Sequence, residues 1–250
     1  MTKFNANRTD VRAILDSQHP LDLLLETCSS GRSAFIEKWG NRDACLGSAT
    51  DFVTVLLAEL LSSNPLLITN YTCMTWREDG GGNLVRRKDG SYWLSIPAGK
   101  FRSHKKYEAM VAPEWCEDPD LYLGKYRPFL LQRNEEGTDY LFPGQGGKSC
   151  NAGALSKKLR DFTSRHCPVV TQGFDSHGCR DIIAMDYLKK NPNGFQVVAA
   201  ILHASLETVR RVYAHLQMTR SPGYDPNATA FSAYSRYLSE RVRMVQCGDR

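Results

Sequence analysis

None of the chain's eight cysteines stands in a C-x-x-C pair, which argues against a zinc knuckle or ribbon and leaves no expected metal site. The amino terminus, MTKFNANRTD, has no apolar signal segment. No stretch reads as the roughly 18 or more apolar residues of a membrane span. Scattered cysteines without a secretory signal imply reduced thiols and a cytoplasmic protein. Internal repeats, low-complexity tracts and a visible second domain are also missing. A large excess of either charge is missing too: 32 Lys and Arg against 27 Asp and Glu give a net charge of +5 over 250 residues, which permits nucleic-acid binding without demanding it. A nucleotide loop is suggested only superficially by Gly144-Gln-Gly-Gly-Lys-Ser149, because the position where a P-loop needs its first glycine is Phe142. No cofactor is therefore expected.

With 42% hydrophobic and 24% charged residues, the chain has an ordinary globular composition and enough length for a real core. Residues 8–26 show helical periodicity interrupted at Pro20, and a polar stretch with Gly31 and Gly40 follows. Ser48-Ala-Thr-Asp opens FVTVLLAELLSS, an apolar helix that should be buried. LVRRKDGSYWLSI predicts two short strands around an Asp89-Gly90 turn, PAGKFRSHKK a basic loop, and YEAMVA a third strand. Helical patterns return at 151–166, 178–189, 194–203, 205–217 and 227–246. The fold class expected is mainly α with a small antiparallel β-sheet (α+β).

The segment 174–216, FDSHGCRDIIAMDYLKKNPNGFQVVAAILHASLETVRRVYAHL, concentrates side chains that carry chemistry. His177 and Arg180 are three apart, which on a helix puts both on one face. His203 follows 23 residues after Arg180, and Tyr213 ten after His203. Ser205 suits an N-cap and Glu207 the first turn of the helix bearing Tyr213. Taken singly, each residue has a bland explanation in packing or surface charge; order and spacing together carry the argument.

H-x-x-R, then L-H-x-S-x-E-T, then Y-x-H-L resembles the signature of the tyrosine recombinases, the phage-integrase family. The apolar helix followed by PLLITNYTCMTW resembles the family's first arginine motif, and WLSIPAGK its lysine-bearing hairpin. The resemblance implies a helical catalytic domain over 1–226, a helical tail over 227–250, and site-specific cleavage and rejoining of double-stranded DNA by a homotetramer, with no membrane, metal or cofactor. By it, Tyr213 is the nucleophile that forms a 3′-phosphotyrosine. Arg180 grips the phosphate bidentately, with His177 beside it, and His203 donates to the phosphate. The lysine that protonates the leaving 5′ oxygen is first assigned to Lys100; a shifted alignment puts Arg102 there, and Lys105 is a third option. Arg102, Lys105, Lys106, Arg210 and Arg211 are expected to touch DNA phosphates.

This sequence departs from the family pattern in several places. The third position of Pro65-Leu-Leu-Ile-Thr-Asn70, normally the first catalytic arginine, is Leu67. Leu202 replaces a usual glycine, and Asp181 stands where a histidine is common. The family's amino-terminal DNA-binding domain has no counterpart: about 50 residues precede the apolar helix, and they read as the start of a catalytic domain. The chain is expected to be a fragment of a longer integrase or a short relative. Leu67 leaves open a catalytically inactive DNA-binding relative, and a type IB topoisomerase-like enzyme shares the chemistry. In the tail, SPGYDPN breaks the helix, and Phe231, Tyr234, Leu238 and Val242 form one apolar stripe, destined either for the chain's own core or for a neighbouring copy.

Overall fold

A computed structural model describes residues 9–101, 104–132, 137–213 and 230–247. Its centre is α3 (Leu46–Ser63), the apolar helix expected from the sequence. It begins two residues earlier than expected, with Cys45 as N-cap and the Ser48 hydroxyl reaching back to accept from the Cys45 amide at 2.9 Å. At 18 residues and mean hydropathy 1.3, α3 is long and apolar enough to cross a bilayer, contrary to the expectation that no stretch would be. The fold accounts for that apolarity, since 78% of the helix is buried among its neighbours.

Around α3 pack α2 (Pro20–Trp39), α7 (Ala152–His166) and α8 (Ser176–Lys190). A short α1 (Thr9–Leu15) lies on α8. Pro20 fills the first turn of α2, where its missing N–H costs nothing. The polar stretch expected after residue 26 is instead the second half of this helix. Gly31 explains why it looked otherwise: a Cβ there would lie 2.1 Å from Cζ of Phe162 on α7. The glycine is a place of close approach between helices, not a turn.

Beyond α3, the short helix α4 (Ile68–Thr72) leads into a three-stranded antiparallel sheet in the order β1 (Leu84–Arg86), β2 (Tyr92–Ile96), β3 (Tyr107–Met110). Leu84 pairs with Leu94 and Leu94 with Ala109. Tyr92, Leu94 and Ile96 point inward with the period of two that the sequence showed. The β1–β2 connection closes through Gly90 at φ +85°, with the Arg87 amide donating to the Ser91 carbonyl at 2.8 Å. The loop-rich segment contains α5 (Glu117–Leu121), a π-helical turn at Tyr122–Tyr126 and α6 (Arg127–Leu131). Residues 144–149 form a turn closed by the Gly144 amide on the Lys148 carbonyl, as expected for the false nucleotide loop.

Then come α9 (Phe195–Ile201), α10 (Leu206–Tyr213) and α11 (Ala230–Cys247). The apolar stripe of α11 packs on its own chain, against α9, α2 and β3. Tyr234, Leu238 and Val242 are buried. The Tyr234 hydroxyl donates to the Ser62 carbonyl at 2.8 Å, that of Tyr237 donates to Asp186, and Arg241 Nε donates to Asp22 at 2.8 Å. The expected break at 221–227 lies outside the described residues.

Two carboxyl groups are sealed in the interior: Glu59 of α3 and Asp118 of α5. Arg32 of α2 reaches Asp118 with Nη2 at 3.0 Å from Oδ1. Burial pushes the Glu59 carboxyl well above its ordinary range; the charge of Asp118 pushes the same way and Arg32 opposes. Burial raises the Asp118 carboxyl as well, with Arg32, which it faces, opposing.

Candidate active site

Helix α8 begins at Asp175, whose carboxylate caps it by accepting from the His177 amide at 2.9 Å. Arg180 comes one turn later. From there its guanidinium Nη1 donates to the main-chain carbonyl of Pro65, in the segment that leads from α3 to α4. Burial lowers the Arg180 pKa, while Tyr213, Asp181, Tyr107 and Tyr71, all within electrostatic reach, hold it up. So the arginine sits where α4, β3, α8 and α10 meet.

Helix α9 ends at Ile201, capped by Leu202, with His203 just beyond. The His203 amide donates to the Ala200 carbonyl at 3.0 Å and the Ala204 amide to the Ala199 carbonyl at 2.9 Å, with His203 at φ +48°. This is a Schellman ending, whose left-handed position glycine usually fills. A side chain there costs roughly 1–2 kcal/mol, a strain of the kind kept where a side chain must be aimed. Its aim is the β2–β3 loop: the imidazole lies 3.9 Å from the Phe101 ring and 5.6 Å from that of Tyr107. Burial lowers the His203 pKa, a hydrogen bond to the Lys105 backbone raises it, and the charges of Lys105 and Arg180 lower it. His104, in the same loop, is also left-handed at φ +51°.

Two residues after His203, Ser205 caps α10: its hydroxyl accepts from the Thr208 amide at 3.1 Å, as the sequence predicted. The eight residues of α10 then bring Tyr213 to α8. There Tyr213 is 6% exposed, and its hydroxyl donates to Asp181 Oδ1 at 2.7 Å.

Arg180, His203 and Tyr213 therefore gather in one region together with the Lys105 backbone. His177 shares the helix of Arg180 one turn earlier and has an exposed side chain. Lys100 is exposed in a short 3-10 turn at Ala98–Lys100, and Lys105 is the lysine whose backbone meets His203. Arg210 and Arg211 are exposed on α10, and Lys106 forms an ion pair with Glu108 at 2.6 Å. Arg102 lies outside the described residues. Leu67 is the N-cap of α4, two residues from the carbonyl that Arg180 holds, and is 39% exposed. Among the described residues, no group of three or more His, Cys, Asp or Glu is placed to hold a metal ion. Sequence reasoning missed Phe101 and Tyr107 as the walls of His203. It noted Asp181 only as an oddity; the one available signal was its position next to Arg180 on a helix that must face Tyr213.

No family model and no curated protein matches the sequence. Solved structures do match. A post-cleavage complex of the XerH site-specific recombinase with a palindromic difH substrate superposes with a TM-score of 0.54 at 16% identity, over 79% of this chain and 48% of that one. A pre-cleavage complex of XerH with difH gives 0.52 at 16% identity, over 80% of this chain and 51% of that one. The chain spans about half the length of these recombinases. With its helical body, three-stranded sheet and terminal helix, this chain has the catalytic-domain fold of the tyrosine recombinases.

Proposed function

We propose that this chain is the catalytic part of a site-specific DNA recombinase that cleaves and rejoins strands through a 3′-phosphotyrosine on Tyr213. The observation that carries this reading is the convergence of Arg180, His203 and Tyr213 from α8, the end of α9 and α10. A phosphodiester gains charge on its non-bridging oxygens as a nucleophile attacks, and a guanidinium beside the phenol is suited to that charge. His203 donates a second hydrogen bond to the phosphate, with His177 at the rim. Lys100 or Lys105 of the hairpin loop protonates the leaving 5′ oxygen. The phosphotyrosine conserves the energy of the broken bond, so rejoining needs no ATP.

Double-stranded DNA is the proposed partner, held by Lys100, Lys105, Arg210 and Arg211, with a tetramer formed on two sites. The test is capture on a nicked suicide duplex labelled at the 5′ end of the cleaved strand. A labelled protein band on a denaturing gel, lost in Tyr213→Phe, is the expected result; no band with the wild-type protein sinks the reading. A second reading, a DNA-binding relative that no longer cleaves, is favoured by Leu67 and by the engagement of Arg180 with a backbone carbonyl. In that case the duplex is bound without a covalent band.

A further inference from the structure

We propose that Asp181 is the base for Tyr213: it accepts the phenolic proton as the tyrosine attacks and returns it when the strand is rejoined. The inference rests on the strand-cleavage reading above and assigns a residue to a step which that reading left open. Asp181 follows Arg180 directly, so the carboxylate and the guanidinium come from the same turn of α8. The carboxylate is 9% exposed, and the Tyr213 hydroxyl already donates to it at 2.7 Å. This hydrogen bond spans 32 residues of sequence and joins two helices. A phenol at neutral pH is a weak nucleophile, with an ordinary pKa of about 10, and needs an acceptor as its oxygen attacks. Asp181 is the acceptor the fold supplies, at general-base distance.

Arg180, from the same turn of α8 as Asp181, is within electrostatic reach of both members of the pair, and also of Tyr71 from α4 and Tyr107 from β3. His203, hydrogen-bonded to the Lys105 backbone, is also within electrostatic reach of Arg180.

The Tyr213 oxygen forms a bond to phosphorus while its proton passes to Asp181. The P–O5′ bond breaks, its electron pair leaves with the 5′ oxygen, and that oxygen takes a proton from the hairpin-loop lysine. In the reverse direction the 5′ hydroxyl attacks and gives its proton back to the hairpin-loop lysine, the phenolate oxygen leaves phosphorus, and Asp181 returns the proton to it.

Two measurements test this on the full chain. The first is the rate of covalent capture on a pool of nicked duplexes of randomised sequence, for the wild type and for Asp181→Asn. The amide keeps the shape but cannot hold the proton. The expected result is a loss of about 10²-fold or more, with a capture rate that climbs with pH from about 7 to 9 in the variant, because the phenol must now ionise unaided, and stays nearly flat in the wild type. Capture by Asp181→Asn at or above the wild-type rate overturns the proposal. So does a slower variant with the wild-type pH profile, which would make Asp181 structural only. No capture by the wild type sinks the strand-cleavage reading and the base role with it. The second measurement needs no DNA: 3-fluorotyrosine at position 213, titrated by fluorine NMR. A neighbouring carboxylate keeps the phenol neutral, so Asp181→Asn should lower its titration midpoint. Equal midpoints in the two proteins show that the contact itself is not made and overturn the proposal independently of any cleavage.

Discussion

Arg180 donates a hydrogen bond to the carbonyl of Pro65, two residues ahead of Leu67. The guanidinium is thus spent on a neutral oxygen at the very turn where the resemblance expects a second arginine. A phosphate arriving at this site must compete with that carbonyl and finds one preorganised guanidinium where the family pattern has two. Leu67→Arg should therefore raise covalent capture of a nicked duplex by about 10²-fold or more. An unchanged rate would mean that the side chain at position 67 does not reach the phosphate or that another cation already serves.

The imidazole of His203 owes its lowered pKa first to burial, and the Phe101 ring 3.9 Å away is part of that cover. Phe101→Ala should move the His203 midpoint up toward its ordinary value of 6.5. Proton NMR of the ring signals across pH 5 to 8 reads this directly; a midpoint that falls or stays put would show that the charges of Lys105 and Arg180 dominate instead.

Glu59 offers a stability test. Its carboxyl is raised above its unfolded value of 4.5, so the folded chain binds the extra proton. That contribution is complete below the unfolded value and is lost as pH rises through the folded one. Asp118 is raised in the same direction. Denaturant midpoints of the wild type should fall as pH rises above the unfolded value and through the raised folded one. In Glu59→Gln the decline should be shallower. Parallel profiles for the two proteins would locate the proton elsewhere.

Gly31 and Phe162 make a packing test. A methyl group on residue 31 has nowhere to go without moving the Phe162 ring. Gly31→Ala should cost about 1–3 kcal/mol by overpacking, even though alanine favours helices. Chemical denaturation measures it; a stabilised variant would mean that α2 and α7 separate easily.

Salt dependence addresses the DNA reading. Lys100 and Lys105 are both exposed on the hairpin loop. If each contacts a phosphate, replacing either by alanine should reduce the slope of log affinity against log salt by about 0.9. Fluorescence anisotropy at several salt concentrations gives the slope, and an unaltered value removes that lysine from the interface.

Much of this architecture was legible in the residues themselves. The apolar run of α3, the period-two strand Tyr92–Ile96, the Asp89-Gly90 turn and the Ser205 cap are local signals, and each formed where expected. The order of Arg180, His203 and Tyr213 carried the site because helices of set length return those residues to one place. What was not legible depends on distance across the fold. Gly31 reads as a breaker unless Phe162 is known to face it. The Glu59 carboxyl looks like a surface charge until Asp118 and Arg32 are seen around it. The partnership of Tyr213 with Asp181 needs the Schellman turn at His203, which the sequence, with histidine in glycine's usual position, disguises.

The terminal helix has one more consequence. Tyr234, Tyr237 and Arg241 fasten α11 to Ser62, Asp186 and Asp22 of the same chain. Two copies that traded this helix would remake every one of those bonds with a partner, so the traded and untraded forms would differ little in contact energy, as in a domain swap. The passage between them would be slow, because the old bonds break before the new ones form. A preparation concentrated and then diluted would thus hold its assembly state for some time, and its oligomer distribution would record the history of the sample as well as its concentration.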